Sequence, residues 1–405
     1  MSPPSIDELT KNIVVVPITR KNEFTRKIID FLGLDQKVEE YMKPETFSGG
    51  EFCPRFLKSI KGKKVFIVAP HTQKITPQDW AMRVQLVSDA AKIAGSESNI
   101  LVAPDLPYSR QDRSPRNDMK LSGQPFSALV LARALHASGI DQVLTMHVHN
   151  EKVRDLYAEV WGKPKDELVF NLDPAPLIAH YLLSQESSLE IADEGRNIVF
   201  VGPDKGAMPF VIEVMRWMNL PNAAHIYCKK NRGRPNDKDK VFITIEHTSD
   251  NFEGFDGKIV ITLDDIADTC GTIEKTNQDI FVNGDQGRPK GTIYYFTHPV
   301  LAGRDYETAF DTLEGLDAQE IIFTNTHPFV EHRRTENIKR NSTVLRCAAY
   351  FADAIVNCIE QGRTPTEVYG SLKGQLQELN GMYEYVRSTL HFLRKAEVLR
   401  RVRVR

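Results

Sequence analysis

The sequence predicts an α/β fold built as two units of similar design, and three observations carry that prediction. From residue 13 onward, short apolar runs alternate with helical stretches, the βαβ rhythm of parallel sheets. One run, Lys258 to Leu263, is mostly β-branched and apolar with turn-formers on both sides, so it reads as a strand covered on both faces. The composition is that of an ordinary soluble globular chain: 405 residues, 41% hydrophobic, 26% charged, with a formal net charge of -2.

Taken in order, the first series of strands is expected at Ile13–Pro17, Lys64–Val68, Ile100–Ala103 and Gln142–Thr145, with helices at Asn22–Leu32, Trp80–Ala94 and Pro125–His136. A second series follows at Ile198–Val201, Ala224–Cys228, Val241–Thr244, Lys258–Leu263, Thr292–Thr297 and Glu320–Thr324, with helices near Lys205–Leu220 and Thr272–Val282. The seam falls between about residues 150 and 195, and no internal repeat is visible. Ser371–Arg405 is helical by pattern and ends basic, in LRKAEVLRRVRVR. Such a tail reads first as a solvated face or subunit contact, with RNA, a membrane surface or acidic protein as the other candidates.

The overall charge gives no electrostatic case for nucleic acid. No run of roughly 18 apolar residues exists to span a membrane. Met1–Thr10 is polar and lacks the apolar core of a signal peptide. The five cysteines are scattered, odd in number and never spaced C-x-x-C, which argues against a disulfide framework or zinc site and predicts a cytoplasmic protein.

The chemistry concentrates behind the Lys258–Leu263 run. Asp264 and Asp265 follow at once, then Asp268-Thr269-Cys270-Gly271-Thr272 opens a helix. Carboxylates at a strand's end suit vicinal sugar hydroxyls or a hard cation. Free N–H groups, two threonine hydroxyls and a glycine that allows close backbone approach suit a phosphate. A capped βα turn is the plainer alternative. Elsewhere, Phe47, Gly49 and Glu51 lie in a turn-like FSGGE stretch, where an aromatic beside glycines could stack on an adenine, or simply form a β-turn. Arg110, Gln111, Asp112, Arg113 and Arg116 lie in a long polar loop past a strand end, placed for a polyphosphate. His147 and His149 follow the Gln142–Thr145 strand, and if the chain stays extended both imidazoles face one way; a satisfied structural histidine is the ordinary reading, and the strand's carboxyl end favours contact of at least one with a cation or phosphate. Asp204 suits Mg²⁺ or a helix cap equally. Lys229–Lys238 is polar and rich in breakers, the composition of a cationic flap over a phosphoryl-transfer centre or of an exposed hairpin.

In their order along the chain, FSGGE, the PYSRQDR loop with SGQPFSA behind it, TMHVH, VGPDKG, the K-x-R of the 229–240 stretch, LDDIADTCGTI and FTNTHP resemble the ribose-phosphate pyrophosphokinase family. The resemblance covers most of Val14 to about Gly370. It implies two phosphoribosyltransferase-type, Rossmann-like domains with parallel sheets; the C-terminal helical extension, read from the pattern beyond Gly370, has no counterpart in the family. The domains are expected at 1–165 and 166–335, with a helical segment, 336–405, packing back on the first. It also implies a site for MgATP and ribose 5-phosphate between the domains, and assembly into homo-dimers or homo-hexamers.

Residue by residue, the resemblance assigns ATP binding to Phe47, Gly49, Glu51, Arg110, Gln111 and Asp112, and magnesium-linked positions to His149 and Asp204. It assigns the acceptor's ribose hydroxyls to Asp264 and Asp265, its 5-phosphate to Asp268, Thr269, Cys270, Gly271 and Thr272, and catalysis to Lys230 and Arg232. The implied reaction moves the β,γ-pyrophosphoryl group of ATP to the anomeric hydroxyl of ribose 5-phosphate, with Mg²⁺ as cofactor. Two alternatives stay open: the same chemistry on ADP-ribose, or a catalytically silent regulatory subunit. The chain departs from the family pattern at His147, where an aspartate is usual, and at Ala207-Met208-Pro209, where glycine follows glycine. Ile245–Gly257 is also longer than usual.

Overall fold

The computed structural model describes residues 11–368 apart from 21, 73–74, 116–120, 185–187, 233–240, 302–306, 332–340, 361 and 366. Arg116, the centre of the expected flap and the basic C-terminal tail therefore lie outside the described residues. The chain forms two compact units. One takes in the chain through Asp173, Thr326–Pro328 and the described residues from Cys347; the other takes in Pro174–Asn325 and Phe329–Arg346.

In the first unit, β1 (Ile13–Pro17), β4 (Lys64–Val68), β5 (Ser98–Ala103), β6 (Gln142–Met146) and β7 (Val169–Leu172) form a five-stranded sheet in the order β1-β4-β5-β6-β7, all parallel. β2 (Met42–Thr46) and β3 (Phe52–Phe56) make a separate antiparallel hairpin. The strands are buried along nearly their whole length and mostly apolar, as parallel sheets covered on both faces require. The covering helices are α1 (Glu23–Phe31), α2 (Pro77–Ile93), α3 (Ser127–Ala137) and α4 (Lys152–Trp161).

Local chemistry starts two of these helices. Asn22 caps α1 by accepting from the Thr25 N–H at 3.1 Å. Thr76 caps α2 by accepting from the Asp79 N–H at 3.1 Å, with Pro77 in the first turn, where its missing N–H costs nothing. The open edge at β1 is sealed by the Gln36 amide, which takes the Val15 N–H at 3.1 Å and donates to the Val15 carbonyl.

In the second unit, β8 (Ile198–Gly202), β9 (Ala224–Arg232), β10 (Val241–Thr248), β11 (Ile259–Ala267), β12 (Gly291–Pro299), β13 (Glu320–Thr324) and β14 (Ser342–Leu345) run in the order β10-β9-β8-β11-β12-β13-β14. Every neighbouring pair is parallel except β10 with β9. Strand β11 sits centrally, flanked by β8 and β12, and Val260, Ile261 and Leu263 are fully buried. Helices α5 (Ala175–Leu182), α6 (Met208–Met218), α7 (Gly271–Thr276) and α8 (Glu307–Glu314) connect the strands, and a π-helical turn, Asn277–Val282, continues α7. Among the described residues no helix is long and apolar enough to cross a membrane.

The chain then returns to the first unit through α9 (Ala348–Ala354). Phe351 of α9 meets Phe24 of α1 edge-on at 5.7 Å, and Tyr350 donates from its hydroxyl to the Asp173 carbonyl at 3.0 Å. Farther on, Lys64 pairs with Glu360 at 3.1 Å. Residues 369–405 of the expected helical segment lie outside the described residues.

The parallel-sheet α/β class is the one expected from the sequence. Its differences are local. Several second-series strands are longer than expected: β10 reaches Thr248 and β11 reaches Ala267. Strands β7 and β14 and the β2–β3 hairpin have no counterpart among the expected elements.

The buried Glu320 at the start of β13 shows how the second unit tolerates a charge in its core. It accepts from the Tyr181 hydroxyl, from Thr343 Oγ1 at 2.7 Å, and from the Ser188 hydroxyl at 2.8 Å and N–H at 3.2 Å. Removing that carboxylate strands several donors in a dry place. Glu320→Ala is expected to cost about 3 kcal/mol of stability, read as a lowered thermal midpoint. Glu320→Gln, which keeps an acceptor, should lose clearly less.

Candidate functional site

The C-terminal end of β11 carries most of the site residues expected in the second unit. Beyond Thr262 the strand pairs only with β12, because its pairing with β8 stops at Thr262 opposite Val201. The carboxylates Asp264 and Asp265 therefore lie on the strand's one-sided extension, rather than just after it as the sequence predicts. Asp265 donates its N–H to Asp264 Oδ1 at 3.0 Å. Burial first, then the adjacent Asp265 carboxylate and the charge of Asp204, hold the Asp264 carboxyl well above the usual carboxylate range. Three acidic side chains from two strand ends thus share one electrostatic neighbourhood.

Asp204 arrives from the turn after β8. It is exposed and accepts from the Ala207 N–H at 3.1 Å, capping the single 3-10 turn Lys205–Ala207. The capping role is thus real; it leaves the other carboxylate oxygen out of this bond. Gly202 permits the fold-back, since a Cβ there would lie 3.0 Å from the Asp204 carbonyl oxygen and 3.1 Å from Met208 Sδ. Pro209, one of the departures from the family pattern, falls in the first turn of α6, where proline fits.

Past β11, Asp268–Thr272 forms the turn into α7. The sequence assigns the conformational freedom here to Gly271; the structure gives the left-handed residue as Cys270, with φ 61°. Cys270 is buried in the second unit's core with Ala267 and Ile273. Burial, with Asp264 and Asp268 nearby, pushes its thiol up to about 12, so it stays protonated and serves packing. Thr269 and Gly271 are exposed and Thr272 half-buried. The first N–H groups of α7 have, by helical geometry, no partner within the helix.

Lys230 lies in β9, where it pairs with Ile243 of β10. This corrects the expectation of a loop beginning at Lys229: the polar residues continue a long antiparallel ladder. Cross-strand bonds explain why it persists, Lys229 to Glu246 at 2.8 Å and Asn231 Nδ2 to Thr244 Oγ1 at 2.8 Å. By strand alternation Lys230 is on the face that carries the buried Ile226 and Cys228, yet is itself exposed. The backbone of Arg232, opposite Val241, ends the strand.

The first unit holds the remaining predicted residues. Phe47, Gly49 and Glu51 sit at the tip of the β2–β3 hairpin, closed by the Phe47 N–H to the Glu51 carbonyl at 2.8 Å and the Gly50 N–H to the Phe47 carbonyl at 2.9 Å. Phe47 is 56% exposed, leaving an apolar side chain open at the hairpin tip. Arg110, Gln111 and Asp112 follow β5 in a loop that turns at Tyr108, φ 63°, with the Gln111 N–H on the Tyr108 carbonyl at 2.9 Å. Asp112 and Arg113 line a groove of about 980 Å³ shared with Phe126, Arg133 and Lys152.

The histidine pair differs from expectation. Strand β6 ends at Met146, and His147 turns left-handed with φ 49° while donating its N–H to the Leu172 carbonyl at 2.9 Å. The chain is no longer extended there, so the period-two argument that aimed both imidazoles one way fails. His149 is exposed on the loop that follows.

Sequence reasoning missed a buried assembly beside the Arg110 loop. Asp105 accepts from His327 Nε2 at 2.8 Å, His327 stacks on His71 at 5.1 Å, and His71 stacks on Trp80 at 5.6 Å. His327 stands in FTNTHP, but no local pattern links it to Asp105.

Comparison with known proteins gives these parts a family. Residues 13–139 match the model of the N-terminal domain of ribose phosphate pyrophosphokinase, and residues 177–280 match the phosphoribosyl transferase domain. A ribose-phosphate pyrophosphokinase of Clostridium acetobutylicum is 26% identical over 345 residues, covering 85% of this chain and 93% of that protein. One from Bordetella parapertussis is 28% identical over 334 residues, covering 82% and 93%. The crystal structure of phosphoribosylpyrophosphate synthetase from Mycobacterium smegmatis has the same fold, with a TM-score of 0.66 at 22% identity, over 87% of this chain and all of that one. Two successive domain models and relatives aligned over most of their length agree with the ordered motifs: this chain belongs to the ribose-phosphate pyrophosphokinase family of enzymes.

Proposed function

We propose that the protein transfers the β,γ-pyrophosphoryl group of ATP to the anomeric hydroxyl of ribose 5-phosphate, releasing AMP. The observation that carries this reading is the end of β11, where paired carboxylates lead straight into a hydroxyl-rich turn of open backbone donors. Carboxyl oxygens accept hydrogen bonds, so Asp264 and Asp265 suit the two vicinal hydroxyls of a ribose. Asp268–Thr272 then takes the 5-phosphate, with the Thr269 and Thr272 hydroxyls adding donors. On the first unit, the exposed Phe47 ring offers a face for adenine, Glu51 an acceptor for its amino group, and Arg110 a charge for the phosphates, beside Gln111 and Asp112.

The chemistry asks little of a general base. The anomeric oxygen attacks the β-phosphorus of ATP, its bond to phosphorus forms as the bond to the AMP oxygen breaks, and the hydroxyl proton passes to solvent. Lys230, with Arg232 two residues on, supplies positive charge for the transferring oxygens. Mg²⁺ fits the donor set. Asp204, Asp264 and Asp265 accumulate negative charge that raises Asp264, which a hard cation relieves. Among the described residues no three such groups converge as a ready-made cage. When bound, Mg²⁺ would neutralise the ATP phosphates; Asp204 is the residue of the second unit that would hold it, and the resemblance assigns a separate magnesium-linked role to His149 of the first unit. Assembly of identical subunits as dimers or hexamers belongs to the same reading.

The direct test is AMP release from MgATP with ribose 5-phosphate and, in parallel, with ADP-ribose. Rapid release with ribose 5-phosphate is expected. Release with ADP-ribose alone would move the acceptor, and silence with both in a folded, ATP-binding protein would make the chain a regulatory subunit. In the same assay Lys230→Ala is expected to lower turnover by about 10³-fold with an unchanged melting temperature.

The raised Asp264 carboxyl carries a pH signature. Between the ordinary carboxylate value and its raised folded value, the folded state holds a proton the unfolded state has lost, so stability falls as pH rises through that window. Asp264→Asn keeps an oxygen for the Asp265 N–H and removes the charge. It should melt higher than the parent at neutral pH, with the gap closing as pH falls toward about 4. A parent and variant with parallel melting curves across that range would contradict the assignment.

A further inference from the structure

We infer that His327 is a positioning residue for nucleotide binding, holding the Arg110–Asp112 loop in place through Asp105. The inference rests on the reading of that loop as part of the ATP site. Four side chains from four separate segments build the device, all within the first unit. Asp105 lies past the end of β5 and opens the loop that continues through Tyr108 to Arg110. His71 lies past the end of β4, and Trp80 lies in the first turn of α2. His327 belongs to the tripeptide Thr326–Pro328.

All four are buried: Trp80 completely, His327 at 6%, His71 at 8% and Asp105 at 9% exposure. Their geometry is specific. The planes of His327 and His71 lie within 10° of parallel and those of His71 and Trp80 within 11°, so three rings form one pile. Trp80 fixes the bottom by donating from Nε1 to the Ala69 carbonyl at 2.7 Å, and the Ala69 N–H is held by the Val102 carbonyl of β5 at 2.8 Å. At the top, His327 Nε2 meets Asp105 Oδ2 at 2.8 Å. The pile therefore runs from the carboxyl ends of β4 and β5 up to the first side chain of the Arg110 loop.

A carboxylate buried to this extent needs a partner with defined geometry, and a lone imidazole on a flexible peptide would supply little. Stacking on His71 removes that freedom and pre-orients the donor. The cost of ordering the loop is thereby met on folding, before any nucleotide binds. The same helix also reaches the second proposed nucleotide element. Arg83, one turn beyond Trp80, lies over the Phe52 ring at 4.4 Å while pairing with Asp79 at 3.0 Å, and Phe52 begins the strand that leaves the Phe47–Glu51 turn. The first turns of α2 thus serve as a common base for the loop and the hairpin. A displacement of about 1 Å at either would be felt as lost nucleotide affinity, because binding through several weak contacts depends on their simultaneous placement.

The test is titration of MgATP into the full-length protein and its variants, alongside AMP-release kinetics and thermal melts. His327→Ala and His71→Ala are expected to weaken ATP about tenfold or more while the KM for ribose 5-phosphate changes less than about twofold. His71→Phe, which keeps a flat ring in the pile, should retain affinity near the parent. His136→Ala removes a different histidine–tryptophan stack in the same unit, against Trp161, and should leave ATP affinity alone. Folded His327→Ala with parental ATP affinity would overturn the inference, as would equal loss in both KM values with a lowered melting temperature, the mark of a merely structural role. The two readings fail separately. A parent that binds ATP and responds to His327→Ala but releases no AMP refutes the proposed reaction and leaves the positioning role standing; a parent that binds no ATP refutes both.

Discussion

Two carboxylates side by side at the end of a buried strand repel each other and lose hydration, and the fold of the second unit is arranged so that they remain there. Strand β11 is gripped along its apolar part by β8 and β12, then released by β8 where the aspartates begin. That release opens the strand's flank to the turn carrying Asp204, whose charge adds to the strain on Asp264. A sheet gains nothing in stability from such an arrangement. Under the proposed function it gains a place where neutral hydroxyls or a cation would relieve what the protein alone cannot, a usual reason for an unfavourable cluster to persist at a strand's carboxyl end.

Each unit divides labour between stiffness and reach. The stiff parts are the two sheets, the ring pile under the Asp105 loop and the Glu320 cluster. The reaching parts are the β2–β3 hairpin tip with its exposed Phe47, the Arg110 loop and the long β9–β10 ladder that carries Lys230 outward. Each reaching part is rooted in paired side chains close to its base: Arg83 over Phe52, His327 on Asp105, Lys229 on Glu246. Such rooting lets an exposed segment keep a defined direction without burying its own tip.

Much of this was legible in the sequence where the signal is local. Fully buried parallel strands show as unbroken apolar runs, so β1, β4 and β13 are readable to the residue. Strands β7 and β14 have four residues each, too short for periodicity to register, and the hairpin strand Met42–Thr46 carries lysine, proline and glutamate that hide it. The acidic turn after β11 is visible because strand, carboxylates and turn are contiguous. The direction of His147 was misjudged because a single left-handed residue cancels strand alternation and leaves no mark in composition. Cys270 rather than Gly271 takes the strained backbone for the same reason. The Asp105–His327 contact joins positions 222 residues apart, and only the fold can bring them together.

The central claim is that the end of β11 is an acceptor site for a ribose phosphate. Calorimetric titration of ribose 5-phosphate into the unmodified protein and into Asp265→Ala, without nucleotide, tests it most directly. Binding to the parent that is lost in an equally stable variant is the predicted result. Equal binding to both proteins would place the sugar elsewhere and leave the carboxylate pair without its assigned purpose.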